Sequence, residues 1–114
     1  MASFVTSKCT PLKGSIKVPG DKSISHRSIM LGSIATGITK VSGFLQGEDS
    51  LATLNSFKEM GVQIDRQGSN VIINGVGMHG LKEPTKPLNL GNSGTSIRLM
   101  SGLLSAQDFD SELC

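Results

Sequence analysis

The sequence has 114 residues, of which 37% are hydrophobic, and its 11 Lys or Arg against 9 Asp or Glu give a formal net charge of +2. These values are typical of one small globular domain, and the cations are too scattered for a nucleic-acid surface. No apolar run approaches the ~20 residues of a membrane-spanning helix, and the N-terminus does not resemble a signal peptide. We therefore expect a cytoplasmic protein that binds neither membrane nor nucleic acid.

The two cysteines, Cys9 and Cys114, lie near opposite ends of the sequence. Structural zinc sites need closely spaced Cys or His ligands, and disulfides are rare in the cytoplasm. We therefore expect free thiols and no metal site.

The first predicted element is a strand over residues 11–19, where apolar and polar side chains alternate. Residues 20–27 (GDKSISHR) follow directly and open a helix. A helix N-terminus exposes unpaired N–H groups at the positive end of the helix dipole, and Lys22, Ser23 and Arg27 add donors there. This stretch is therefore a candidate site for a phosphate or carboxylate group.

The helix that follows this motif is expected to have Ser23 as its N-cap and to end near Ala35. Its buried face is expected to hold the apolar residues Ile24, Leu31, Ile34 and Ala35. His26 is expected to pack in the interior or behind the site rather than act as a base.

The middle of the chain predicts a strand at 38–44, a helix at 47–60 and a hairpin with strands at 62–64 and 71–73. On the helix, Leu54 and Phe57 belong to an apolar stripe at spacings of three. Residues 75–80 fit the pattern G-x-G-x-x-G, but Pro84 prevents a long helix after them. We interpret these residues as a turn, because a dinucleotide site of this kind must open a helix.

The first motif recurs 71 residues later, where residues 91–98 (GNSGTSIR) repeat its Gly, the Asp or Asn after it, a Ser and an Arg in register. Such a repeat indicates a duplicated structural unit. The helix after this second motif is expected from Gly94 to about Ala106, with Ile97, Met100 and Leu104 facing inward. Alternation resumes at Phe109 and stops at the last residue, so we expect a strand to begin there and the sequence to be a fragment.

Residues 18–27 (VPGDKSISHR) and 90–100 (LGNSGTSIRLM) resemble the two N-terminal signatures of the EPSP synthase family. The resemblance implies transfer of the enolpyruvyl group from phosphoenolpyruvate to the 5-hydroxyl of shikimate-3-phosphate, with release of phosphate. That reaction belongs to the shikimate pathway of aromatic amino acid biosynthesis. The family also implies a monomeric full-length enzyme that needs no metal or organic cofactor.

The fold implied by the resemblance is α/β, with two domains that each contain three βαβαββ units around a pseudo-threefold axis. The sequence would hold about one and a half units of this enolpyruvyl transferase fold, at residues 20–80 and 88–114. Together they would form an incomplete first domain over residues 20–114. Residues 1–19 would supply an N-terminal strand that joins the other domain.

The resemblance also assigns site residues by position. Lys22 resembles the catalytic lysine that contacts both substrates, and Ser23 and Arg27 resemble residues that hold shikimate-3-phosphate. Gly94 resembles the glycine beside phosphoenolpyruvate, which implies a glyphosate-sensitive pocket, although Leu99 stands where the family often has proline. The residues expected to shape that pocket are Asn92, Thr95, Arg98 and Asp49.

The family's catalytic carboxylates and several further ligands would lie beyond Cys114, so we expect no turnover by this chain alone. Two other interpretations stay open. A sister enolpyruvyl transferase, which acts on UDP-N-acetylglucosamine, shares the fold and uses a catalytic cysteine, but it has asparagine where this sequence has Ser23. A non-catalytic anion-binding module would use the two helix starts without a reaction.

Overall fold

The computed structural model describes residues 2–114. Three helices and three strands follow one another as α1 (Lys22–Ile34), β1 (Thr36–Val41), α2 (Glu48–Glu59), β2 (Gln63–Gln67), β3 (Asn70–Val76) and α3 (Gly94–Leu104). The predicted order of elements from the first helix onward is confirmed. Within the described residues, no helix is both long and apolar enough to cross a membrane.

The predicted strand over residues 11–19 is wrong, because residues 2–21 form neither helix nor strand. Leu12, Ile16 and Val18 are all exposed. A strand is stable only where a neighbouring strand pairs with its backbone and a core covers its apolar side. Within residues 2–114, neither partner is present for this segment.

The three strands form one antiparallel sheet in the order β1-β3-β2. The central strand β3 pairs Ile73 with Thr39 of β1 on one side and with Ile64 of β2 on the other. The hairpin between β2 and β3 turns at Gly68, as its composition predicts.

The helices α1 and α2 pack against each other, and α1 also packs on the central strand. Gly32 of α1 lies so close to β3 that a Cβ atom there would come within 2.8 Å of Ile73 Cδ1. The side chains with no exposed surface in this core are Ile29, Phe57, Met60, Ile73 and Met100. The predicted stripe on α2 is therefore confirmed at Phe57, and Leu54 is buried beside it.

The predicted buried face of α1 is wrong at Ile24 and Leu31, which are 59% and 62% exposed, whereas Ile34 is partly buried against the core. The helix instead buries Ile29 and Met30 together with the polar residues Ser25 and His26. Apolarity alone misassigns such a face, because polar side chains are buried wherever they find hydrogen-bond partners. On α3, Met100 is buried as expected from the same spacing, but Ile97 is 40% exposed.

The residues just before α3 pair in parallel with the last residues of the chain, which follow α3. The N–H of Leu88 donates to Glu112 O at 2.8 Å, the N–H of Cys114 donates to Leu88 O at 3.0 Å, and the N–H of Leu90 donates to Cys114 O at 3.0 Å. Leu88 and Leu113 form a parallel bridge. Residues 88–90, α3 and residues 112–114 therefore have the connectivity of a βαβ unit, and strand pairing does begin near the end of the sequence.

Candidate anion-binding site

The site begins at the N-terminus of α1, where Asp21 is the N-cap and Lys22 is the first helical residue. The Oδ2 atom of Asp21 accepts a hydrogen bond from the N–H of Ile24 at 2.8 Å. The predicted cap, Ser23, lies one residue inside the helix and does not fill this role. A carboxylate at the cap position accepts the N–H three residues ahead in the same way that a serine cap does.

Asp49, in the first turn of α2, connects the two sequence motifs. Its Oδ2 atom forms an ion pair with Lys22 Nζ at 2.6 Å, and its Oδ1 atom accepts a hydrogen bond from the N–H of Asn92 at 3.1 Å. The Lys22 ammonium, followed by the Asn92 N–H, holds the pKa of the Asp49 carboxyl below its ordinary value. Asp49 therefore stays ionised and brings the starts of α1, α2 and α3 together.

The turn before α3 needs glycine at position 91 for two reasons. Gly91 has a φ of +64°, in the left-handed region that favours glycine. A Cβ atom there would also lie 2.8 Å from Asp49 Oδ1. Ser93 then caps α3, because its Oγ atom accepts a hydrogen bond from the N–H of Ser96 at 3.1 Å.

Two neighbouring depressions form around these helix starts. The first, which we call the Lys22 cleft, has a volume of about 400 Å³ and is lined by Lys22, Leu45, Gly47, Glu48, Asp49, Ser50 and Asn92. The second, the Gly94 hollow, has a volume of about 280 Å³ and is lined by Leu90, Gly91, Asn92, Ser93, Gly94, Ile97 and Cys114. Asn92 belongs to both, so the two depressions adjoin.

The site residues proposed from the sequence are distributed unevenly over this surface. Lys22, Asp49 and Asn92 lie together in the Lys22 cleft, and Gly94 lies in the hollow beside it. The remaining predicted residues line neither depression: Ser23, Arg27, Thr95 and Arg98. Arg27 and Arg98 are exposed, one turn into α1 and α3 respectively.

The charges at the helix starts favour an anion at α3 over α1 and α2. The N-cap of α1 is Asp21 and the first turn of α2 contains Glu48 and Asp49, whereas neither the cap nor the first turn of α3 is acidic. Free N–H groups and the helix dipole stabilise an anion by attraction only where no carboxylate already occupies that end. The arrangement can therefore bind an anionic group at the start of α3, and Lys22 supplies a cation at the start of α1.

Behind the cleft lies a polar network around His26, whose interior position the sequence predicted but whose partners it did not identify. His26 is fully buried, and Thr53, Ser93 and Ser96 surround its ring within hydrogen-bond distance. We call these four residues the His26 cage. A detectable signal was present, because hydroxyl residues in helix interiors are poor helix formers and a buried partner compensates for them.

Comparison with solved structures identifies the fold class of the chain. An EPSP synthase from Acinetobacter baumannii is 62% identical, superposes with a TM-score of 0.84, and is matched over 89% of this chain and 23% of its own length. A second structure of EPSP synthase from that organism gives a TM-score of 0.83 at 62% identity. The fold and the paired helix starts thus define a partial enolpyruvyl transferase fold, which confirms the predicted class.

Comparisons of sequence identify the family. The model of EPSP synthase (3-phosphoshikimate 1-carboxyvinyltransferase) matches residues 6–114. Proteins named 3-phosphoshikimate 1-carboxyvinyltransferase are 66% identical over 114 residues in Ruthia magnifica and 59% identical over 113 residues in Geobacter sp. strain M21. The chain belongs to the EPSP synthase family.

The matches cover 100% and 99% of this chain but 26% of each of those two relatives. The chain therefore spans about a quarter of the length of the curated relatives it matches.

Proposed function

We propose that this chain supplies part of the active site of an enzyme that transfers the enolpyruvyl group of phosphoenolpyruvate to the 5-hydroxyl of shikimate-3-phosphate. The family match supports the reaction. The observation that carries the site is the pair of contacts through Asp49, which gathers Lys22 and the turn before α3 at one cleft. We propose a monomeric cytoplasmic enzyme that is inhibited by glyphosate.

In this proposal Lys22 contacts both substrates, and Ser23 and Arg27 hold shikimate-3-phosphate. Lys22 is suited to this role because its side chain is 49% exposed and has Asp49 as a partner when no substrate is bound. An ammonium group that is already held in place loses little conformational freedom when a phosphate approaches it. Arg27 lies on the exposed side of the same helix start, within the first turns.

The phosphoenolpyruvate side of the proposed site is the start of α3. Gly94 is the first residue of that helix and leaves its backbone open to a ligand. In this proposal Asn92 and Asp49, which line the Lys22 cleft, shape the pocket, and Thr95 and Arg98 contribute from α3 beside it, although they line neither depression.

The proposed reaction forms a bond between the 5-hydroxyl oxygen and C2 of the enolpyruvyl group, and breaks the bond between C2 and the phosphate oxygen. The electron pair of the broken bond leaves with phosphate, and in the overall balance the hydroxyl proton is carried by that product. Two multiply charged anions repel each other as they approach. Lys22 and the helix dipole at the start of α3 offset this repulsion, and they need no reorganisation during the reaction.

The test uses a chimera in which residues 1–114 replace the matching segment of the Ruthia magnifica relative, which is 66% identical over this length. We expect phosphate release that requires both phosphoenolpyruvate and shikimate-3-phosphate. Lys22→Met should reduce kcat/KM by about 100-fold or more, since a charge-assisted contact is lost to both substrates. Lys40→Met, at an exposed position of β1, is the matched control and should leave kcat/KM unchanged.

Other outcomes distinguish the alternatives. Activity with UDP-N-acetylglucosamine in place of shikimate-3-phosphate would favour the sister transferase, and inactivation through Cys114 by a thiol reagent would agree with it. Phosphate binding by a chimera that releases no phosphate from any substrate pair would favour a non-catalytic module.

A further inference from the structure

The His26 cage connects all three helices at one buried point. The Nδ1 atom of His26 in α1 lies 2.8 Å from Thr53 Oγ1 of α2 and 3.1 Å from Ser96 Oγ of α3. Its Nε2 atom lies 3.4 Å from Ser93 Oγ, and Thr53 Oγ1 lies 2.8 Å from Ser96 Oγ. The ring thus reaches two hydroxyl groups on one side and one on the other.

The cage is compatible with a neutral imidazole in either tautomer. When Nε2 carries the proton it donates to Ser93, and Nδ1 accepts from Thr53 or Ser96. When Nδ1 carries the proton, the donor and acceptor directions are reversed, and the hydroxyl groups rotate to match. The ring contacts no carboxylate, and burial, followed by the nearby charge of Lys22, lowers the pKa of His26 against a smaller opposite effect of Asp49.

The serine on the Nε2 side is the cap of α3. Ser93 Oγ accepts the N–H of Ser96, which fixes the first turn of α3, and the same oxygen faces the ring of His26. On its own helix, His26 follows Lys22 by one turn. The ring therefore lies directly behind the helix starts that form the proposed site. His26 belongs to α1, and its ring contacts Ser93, the cap of α3.

We propose that His26 is a positioning residue: through Ser93 it holds the start of α3 at a set distance and angle from the start of α1, so that ligands bound at the two starts meet. The expected effect of His26 on turnover rests on the proposed function. The expected effect of His26 on anion binding at the start of α3 does not.

Two variants separate the two sides of the ring. His26→Gln places an amide group near the former Nε2 position and keeps a hydrogen-bond partner for Ser93. His26→Asn places its amide near the former Nδ1 position, so it keeps Thr53 and Ser96 and loses the cap. His79→Gln changes the only other histidine, which is exposed in the turn after β3, and is the matched control.

In the chimera, we expect His26→Asn to reduce kcat/KM by about 10- to 100-fold, because small displacements of a positioned group have effects of this size. His26→Gln should restore kcat/KM to within about threefold of the parent. Both measurements are made where circular dichroism shows each variant fully folded. Equal activity of the two variants, or a larger loss in His26→Gln than in His26→Asn, would overturn the proposal.

A second measurement does not require turnover. Inorganic phosphate is titrated into the 114-residue chain while the amide resonances of Gly94 and Thr95 are followed by NMR. We expect shifts in the parent and in His26→Gln, and an affinity at least about threefold weaker in His26→Asn. Equal phosphate affinity in all three proteins, or no shift in the parent, would overturn the positioning role. An inactive parent chimera with the expected shifts would instead overturn only the proposed reaction.

Discussion

Gly94 and Gly102 both lie exposed on α3, and both have room for a methyl group. A Cβ atom at Gly94 would come no closer than 3.9 Å to Arg98 Nη1, and one at Gly102 would have no atom within 4 Å. The two positions differ in their surroundings, because Gly94 lines the hollow at the start of the helix and Gly102 does not. This pair therefore separates an effect on a ligand from an effect on the fold.

We predict that Gly94→Ala raises the KM for phosphoenolpyruvate in the chimera several-fold and changes the free energy of unfolding by no more than about 0.5 kcal/mol. The added methyl group occupies space that the ligand needs, while the protein itself has room for it. The control, Gly102→Ala, should stabilise α3 by about 0.5–1 kcal/mol and leave KM unchanged. Steady-state kinetics and urea unfolding measure the two quantities. A lower stability of Gly94→Ala would contradict this explanation.

At the scale of the element, the boundaries of α1 depend on side chains that reach the free ends of its backbone. Asp21 accepts the N–H of Ile24, and Ser23 lies inside the helix. Both residue types are good N-caps, so the sequence could place the helix start only to within two residues. The choice between them is made by the fold, which starts the helix at Lys22.

We predict that Asp21→Ala lowers the free energy of unfolding by about 1 kcal/mol, because it leaves the N–H of Ile24 without its partner. Ser23→Ala, the matched control, should change it by less than about 0.5 kcal/mol. Urea unfolding midpoints followed by circular dichroism compare the two variants. A larger effect of Ser23→Ala would show that the helix begins later than Lys22.

The elements differ in how well the sequence predicts them. The helix α2 was predictable, since Leu54 and Phe57 repeat at helical spacing and both are buried. The buried side of α1 was predictable only in part: His26 is buried as expected, but Ile24 and Leu31 are exposed, and the hydroxyl partners of His26 lie on other helices. Residues 11–19 have the alternation of a strand, yet alternation does not specify a partner, and within residues 2–114 none pairs with them.

The candidate site was predictable in the same limited sense. The repeated motif located two helix starts, and Lys22 and Asn92 do line one cleft. The connection through Asp49 depends on how α2 packs between those starts, which is a long-range property that spacing does not contain. Hydroxyl residues within the helices indicated buried partners, but the identity of the partner, His26, depends on the same long-range packing.

At the scale of the whole molecule, two groups couple the stability of the fold to pH. Burial lowers the pKa of His26 below its ordinary value of 6.5, and Lys22 lowers the pKa of Asp49 below its ordinary value of 3.8. At pH values between the folded and the unfolded pKa of each group, the unfolded state binds more protons than the folded state. The free energy of unfolding therefore rises with pH in that range. Each contribution is complete above the unfolded pKa and is lost as pH falls below it.

We predict a free energy of unfolding that begins to fall below about pH 6.5, from His26, and falls further below about pH 3.8, from Asp49. His26→Gln should remove the first decrease, and His79→Gln, which changes the exposed histidine, should not. Urea unfolding at a series of pH values gives the slopes. A first decrease that persists in His26→Gln would assign it to another group.

We also predict that the 114-residue chain binds inorganic phosphate weakly and does not release phosphate from phosphoenolpyruvate and shikimate-3-phosphate. The Lys22 cleft is open, since the Lys22 side chain is 49% exposed, and water screens its charge there. Transition-state stabilisation by fixed charges requires a site that excludes water. A coupled phosphate-release assay on the purified chain checks this, and activity above background would contradict it.

The His26 cage also restricts how this sequence can change over evolutionary time. Its members lie at positions 26, 53, 93 and 96, on three helices, yet each depends on the others for a hydrogen bond. Loss of one buried partner costs about 1–3 kcal/mol, whereas replacing both partners by apolar groups can be nearly neutral. Substitutions at these positions are therefore expected to be inherited in pairs, so that residues far apart in the chain diverge together.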